Sequence, residues 1–170
     1  MWHNIAISTV EKLGIVKGYE NSNFEPDKPI TRAELAAIAT RFDKNDITLY
    51  ENFSDISGHW AEDSIKKAVA LGWVKGYPDG TFKPDEPITR AEAMTLINNV
   101  LLRLPEYESD LLKGMIVWPD NILDKWYYLS VQEATNSHDY VRKDDGVFET
   151  WTSVNPVEEW IKYQENYIKY

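Results

Sequence analysis

Displaced by 58 residues, the sequence falls on itself without a gap. Trp2 meets Trp60, Gly14 meets Gly72, Gly18-Tyr19 meets Gly76-Tyr77, and Phe24 meets Phe82. The hexapeptide Pro29-Ile30-Thr31-Arg32-Ala33-Glu34 recurs as Pro87-Ile88-Thr89-Arg90-Ala91-Glu92. From Trp2 to Leu35, 17 of 34 positions are identical, against about 2 expected by chance at ordinary residue frequencies. Such a period restricts the chain to an array of small units, each covering its apolar face with a neighbour.

A third, eroded copy follows. Trp118-Pro119-Asp120 corresponds to Phe53-Ser54-Asp55, Trp126 to Trp60, and Val131 and Ala134 to Ile65 and Ala68. Asn155-Pro156-Val157-Glu158-Glu159 stands where the hexapeptide belongs. The segments are therefore 1–43, 44–104 and 105–170. Copy two opens at Phe53, about seven residues before Trp60, whereas Met1 lies one residue before Trp2. Copy one thus reads as N-terminally truncated.

Each copy reads as helix, loop, helix. The spacing predicts a helix from about Trp60 to Leu71 with Ile65, Ala68 and Val69 on one face, ended by Gly72. The stretch Trp73–Phe82, with Pro78-Asp79-Gly80 inside it, reads as a tight loop with a short extended piece. A second helix begins after Thr89, and Met94, Ile97, Leu101 and Leu104 predict one buried stripe. Thr89-Arg90-Ala91-Glu92 and Thr31-Arg32-Ala33-Glu34 are capping boxes, so Thr31, Thr89, Glu34 and Glu92 have a structural use. The arginines have none in the cap itself, and the structural use left to them is a salt bridge to a loop carboxylate such as Asp27 or Asp85. A cation opposes the helix dipole at the first helical position, whereas free amides and a guanidinium together suit a carboxylate or phosphate. Arg32 and Arg90 are therefore the candidate anion ligands. Copy three keeps helix-starting residues but carries Glu158-Glu159 where an arginine would stand, so it reads as a lobe without an anion site.

Composition narrows the partners. The net charge is −10, which opposes nucleic acid binding because phosphate neutralisation needs clustered cations. Segments 1–43 and 44–104 carry −1 and −2 and segment 105–170 carries −7, so a small anion meets less repulsion in the first two copies. No run reaches the roughly 20 apolar residues of a membrane-spanning helix. Without cysteine there is no thiolate zinc site and no thiol catalysis. Asp79-Gly80 lacks the alternating ligands of an EF-hand and reads as a turn. No metal or cofactor is expected. His3, His59 and His138 show no ligand spacing and no nucleophile partner, and His59 reads as a cap or packing residue; the scattered carboxylates do not mark a glycosidase. No enzyme is expected.

Phe53-x-Asp55, His59-Trp60-Ala61, Gly72-x-Val74-x-Gly76-Tyr77, Asp79-Gly80-Thr81-Phe82 and Ile88-Thr89-Arg90-Ala91-Glu92 together resemble the S-layer homology repeats of bacterial surface proteins. Copy one follows the pattern from Trp2, with Asn21-Ser22 in place of Asp-Gly. The resemblance implies a mostly helical protein, a three-lobed spindle about a pseudo-threefold axis with a central helical bundle. It implies grooves between lobes that bind an anionic, often pyruvylated, secondary cell-wall polysaccharide. By that resemblance Arg32 and Arg90 hold the acid, and Gly76, Tyr77, Asp79, Trp2 and Trp60 line the sugar. The implied location is extracellular, at the bacterial wall, beside a fused or associated surface protein. The competing reading is a self-assembly or protein-interaction module without direct glycan binding.

Overall fold

In the computed structural model the described residues are 3–19, 22–44 and 53–156. Trp2, Asn21 and the Val157-Glu158-Glu159 segment lie outside them. Helix is the predominant regular structure among the described residues. They form α1 (His3–Lys12), α2 (Arg32–Thr40), α3 (Glu62–Ala70), α4 (Arg90–Leu101), α5 (Tyr128–Thr135), a 3-10 turn (Glu108–Asp110) and strands β1 (His138–Arg142) and β2 (Glu149–Val154). No helix among them is long and apolar enough to cross a membrane. The chain divides into two compact units, Met1–Thr89 and Arg90–Tyr170.

In the first unit, α2 and α3 pack together. Ile65 and Ala68 on α3 are fully buried, and Val69 lies at the margin. They meet Ala33 and Ala36 of α2, together with Ile56, Ala61 and Phe82. Small alanines on one helix let the two backbones approach closely, and burying a side chain like Ile65 contributes about 1.5–3 kcal/mol. Helix α3 stops because Gly72 takes a left-handed φ of +72°, after which the Gly72 and Trp73 amides donate back to the Val69 and Ala68 carbonyls at 2.8 and 2.9 Å. At the other end His59 Nδ1 accepts from the Ala61 amide at 3.1 Å, so this histidine serves the helix start.

One turn recurs in the first two copies, and a version one residue wider closes at Lys143–Phe148. Tyr77 N donates to Thr81 O at 2.8 Å and Gly80 N to Tyr77 O at 3.0 Å. Tyr19 N donates to Asn23 O and Ser22 N to Tyr19 O at 2.8 and 2.9 Å. Lys143 N donates to Phe148 O and Gly146 N to Lys143 O at 2.8 and 3.0 Å. The left-handed corner is Gly80, Ser22 and Gly146, respectively. Asp55 joins the start of copy two to its loop, accepting from the Phe82 and Lys83 amides at 2.8 and 2.7 Å.

In the second unit, α4 packs on α5, and β1 and β2 pair as an antiparallel hairpin. His138 faces Val154 and Tyr140 faces Trp151, with an irregularity between Asp139 and Tyr140. Glu149 and Trp151 alternate inward, at 0% and 2% exposure, as the two-residue strand period requires. Leu111, Tyr128 and Trp151 form the apolar core.

The expected stripe on α4 is not the covered face. Ile97 and Leu101 are exposed, while Leu96 and Asn98 are buried, because Asn98 Nδ2 donates to the Ser130 carbonyl of α5 at 2.9 Å. Val131 and Ala134 are likewise not the counterparts of Ile65 and Ala68. Val131 is half-buried, Ala134 is exposed, and Gln132 between them is fully buried. Gln132 is satisfied there, donating to Ile116 O at 3.2 Å. The helix expected after Asn155 lies outside the described residues.

Candidate functional site

The two copies of Thr-Arg-Ala-Glu stand in different surroundings. At α2 the capping box is closed in both directions: Thr31 Oγ1 accepts from the Glu34 amide at 3.1 Å, and Glu34 Oε2 accepts from the Thr31 amide at 2.8 Å. The next amides are also taken, Arg32 N by Glu86 O and Ala33 N by Pro84 O, each at 3.0 Å. The free helix-start amides expected here are thus filled by the chain's own carbonyls. Arg32 is 3% exposed. Its Nε donates to Phe82 O at 2.8 Å and its Nη2 to Lys75 O at 3.0 Å. The guanidinium lies 4.7 Å from the centres of both the Tyr77 and Phe82 rings, an arrangement that holds a cation by ring electrostatics as well as by hydrogen bonds.

Of the residues expected to line a sugar, Tyr77 therefore meets Arg32, and Lys83 lies 4.5 Å over the same ring. Trp60 is 66% exposed, against the His59 ring at 5.5 Å. Asp79 is exposed and shapes its turn, accepting from the Thr81 hydroxyl at 2.6 Å and amide at 3.0 Å. These bonds hold its carboxyl below the ordinary value. Gly76 has a packing reason: a Cβ there would come within 2.0 Å of Phe53 Cε1. Gly76→Ala is expected to cost about 1–3 kcal/mol through displacement of that ring, read as a lower urea midpoint. An unchanged midpoint would show the Phe53 contact to be dispensable.

Arg90 is exposed. Directly after Thr89, also exposed, it opens α4. Among the described residues its side chain makes no hydrogen bond or ion pair. It borders a groove of about 300 Å³ lined by Ala91, Met94, Trp118, Asn121, Tyr127 and Val131, among others. That volume is at the lower end for a ligand site. Trp118 is 43% exposed, with its indole Nε1 donating to Thr135 Oγ1 at 3.0 Å, which fixes the ring. Tyr127 is set edge-on against Trp126 at 5.3 Å. Asn121 is 4% exposed. Its Nδ2 donates to Tyr128 O at 3.2 Å, and its buried Oδ1 accepts from no described group. Asp120 also lines the groove. The arrangement offers a guanidinium fork, aromatic faces and a polar floor.

Trp118, Asn121 and Tyr127 were not singled out from the sequence as lining residues. The usable signal was Trp118, already aligned with the opening of copy two. Glu92 is half-buried on α4. Elsewhere in this unit Glu133, His138 and Glu149 bring one ligand-type atom each within 4.8 Å of one another. The cation among them is Arg103, which reaches Glu133 Oε1 at 2.8 Å, His138 Nε2 at 2.6 Å and Glu149 Oε2 at 3.1 Å.

Residues 1–36 and 52–94 match the model of the S-layer homology domain. The chain is 36% identical over 152 residues to a cellulosome-anchoring protein of Acetivibrio thermocellus, covering 85% of this chain and 33% of that protein. It is 34% identical over 157 residues to cell surface glycoprotein 1 of the same organism, covering 85% of this chain and 6% of that one. It is 34% identical over 134 residues to the middle cell wall protein of Brevibacillus brevis, covering 75% and 12%, respectively. The chain thus spans a third or less of each of these relatives.

Proposed function

The chain belongs to the S-layer homology family through residues 1–36 and 52–94, and on that premise we propose that it anchors a surface protein to the bacterial cell wall. It does so by binding an anionic wall polysaccharide non-covalently, as a binding module and not as an enzyme. The observation that carries this reading is the exposed Arg90 at the start of α4, on a groove walled by Trp118 and Tyr127. A guanidinium takes a carboxylate in two parallel hydrogen bonds, and an aromatic face packs against the C–H side of a sugar ring. The acid is the carboxylate of a pyruvyl ketal on the polymer. In this reading Arg32 serves the binding surface indirectly, by holding Tyr77 and the Lys75–Phe82 loop. The names of the relatives, with their anchoring and cell-wall roles, support the location. The division at 1–43, 44–104 and 105–170 and the three-lobed spindle belong to the same proposal.

The test is retention of the intact chain on purified wall polysaccharide, native and after mild removal of its pyruvyl groups. Retention on the native polymer and loss on the stripped one is expected. Equal retention on both would remove the carboxylate from the account, and none on either would remove the anchoring function.

A second reading, assembly with other protein chains, is favoured by a run of exposed apolar residues, Val117, Ile122, Leu123 and Trp126. Size-exclusion chromatography with and without the polymer separates the two. Concentration-dependent oligomers that ignore the polymer would favour assembly.

A further inference from the structure

The opening of the third copy departs from that of the second at a buried position. With Trp118-Pro119-Asp120 set against Phe53-Ser54-Asp55, Asn121 takes the place of Ile56. Ile56 is 1% exposed and belongs to the apolar core of the first unit. Asn121, at 4%, is nearly as covered and yet polar. Resting on the anchoring proposal above, we propose that Asn121 selects the ligand of the Arg90 groove. Its Oδ1 accepts a hydrogen bond from a hydroxyl of the same acidic sugar whose carboxylate Arg90 holds.

The surroundings fix which end of the Asn121 amide is left over. Its Nδ2 lies 3.2 Å from the Tyr128 carbonyl and 3.4 Å from Gln132 Oε1. A backbone carbonyl only accepts, so the nitrogen is the atom that faces it. Gln132 is oriented in the same way. Its Nε2 donates to the Ile116 carbonyl at 3.2 Å, which turns Oε1 towards Asn121. Each amide therefore has one orientation. Asn121 Oδ1 is left buried with no described donor, on a side chain that lines the groove. Buried polar atoms are paired in the great majority of cases, and an apolar residue, as in copy two, would leave nothing unpaired here.

The fixed donors of the groove are already spent. Trp118 Nε1 donates to Thr135 Oγ1 at 3.0 Å, and the Thr135 hydroxyl donates to the Val131 carbonyl at 2.6 Å. Asp120, beside Asn121, adds a second acceptor, because it has lost the task of its counterpart. Asp55 accepts from the Phe82 amide at 2.8 Å, whereas the Phe148 amide is taken by Asp145 Oδ1 at 2.9 Å. Asp120 is exposed on the groove, and among the described residues its side chain makes no hydrogen bond or ion pair.

The groove thus offers a donor fork at Arg90 and acceptors at Asp120 and Asn121. A bare carboxylate would satisfy the fork alone. A sugar that carries both an acid and free hydroxyls satisfies both sides. Space favours a hydroxyl over an amide N–H at Asn121. A hydroxyl hydrogen turns about its C–O bond and brings no further group, whereas an amide N–H brings an acyl group into a groove of about 300 Å³.

The experiment compares the intact chain with Asn121→Ile, by retention on purified wall polysaccharide and by thermal midpoint. The substitution installs the residue of copy two and removes the acceptor. Retention is expected to fall by about three- to tenfold, the loss of one neutral hydrogen bond, while the midpoint holds or rises. A midpoint several degrees lower with retention falling in step overturns the inference, since that is the mark of a residue that only supports the fold. Equal retention of the two chains overturns it as well and leaves the Arg90 reading standing. No retention of wild type removes both. On polymer with O-methylated hydroxyls, wild type should fall to the variant's level, and a difference that persists overturns the hydroxyl. If Asn121→Ile fails to fold, NMR of wild type with short fragments of the native polymer decides the question. The carbon-13 resonance of the Asn121 side-chain carbonyl should shift together with the Arg90 signals, and an unmoved resonance overturns the hydrogen bond.

Discussion

Arg90→Ala should cut retention on native wall polysaccharide by about ten- to a hundredfold, the equivalent of one lost charged hydrogen-bonding group at about 1.5–3 kcal/mol. The thermal midpoint should hardly move, because Arg90 is exposed and its side chain bonds to no other described residue, and such surface changes stay within about 0.5 kcal/mol. The pairing of the two readouts separates a binding residue from a structural one. Arg90→Lys sharpens the test, since it keeps the charge and removes the planar fork. Intermediate retention is expected if the carboxylate is held by two hydrogen bonds. Full retention by Arg90→Ala, measured by titration calorimetry or polymer pull-down, would move the anion elsewhere.

Arg32→Ala should do the reverse and destabilise the first unit by about 3–5 kcal/mol. Removal of the guanidinium leaves the Lys75 and Phe82 carbonyls without this donor, at about 1–3 kcal/mol for each buried group left unsatisfied. It also empties the space between the Tyr77 and Phe82 rings, and a cavity adds its own cost. Arg32→Lys should recover only part of the loss, because one ammonium cannot reproduce two directed contacts and a stacked plane. Denaturant midpoints and amide protection in α3 provide the measurement. A loss under about 1 kcal/mol would mean that the surrounding residues close over the gap or that water satisfies the two carbonyls.

The identical hexapeptide explains why the sequence alone could not tell these arginines apart. Local spacing encodes the cap, and the Thr31–Glu34 box appears where the pattern puts it. It does not encode which carbonyls arrive from elsewhere to fill the amides of Arg32 and Ala33. The α3 face was legible because Ile65 and Ala68 are apolar and regularly spaced. The α5 face was not, because its buried positions include Gln132 and Glu133. A hydrophobic period cannot register a side chain that is buried by being hydrogen-bonded. The hairpin escaped for the same reason, since the buried side chains of His138 and Glu149 are polar. Its turn was nevertheless readable: Asp145-Gly146-Val147-Phe148 repeats Asp79-Gly80-Thr81-Phe82 with one change.

Arg32 begins in one copy of the repeat and ends its side chain on the backbone of the next. A designer who cuts cassettes at the sequence period would sever that tie. Chimeras joined between residues 44 and 52 from different parents would inherit an arginine from one and its two acceptors from another. Splices after the second hexapeptide keep donor and acceptors in the same piece, and so make the safer crossover.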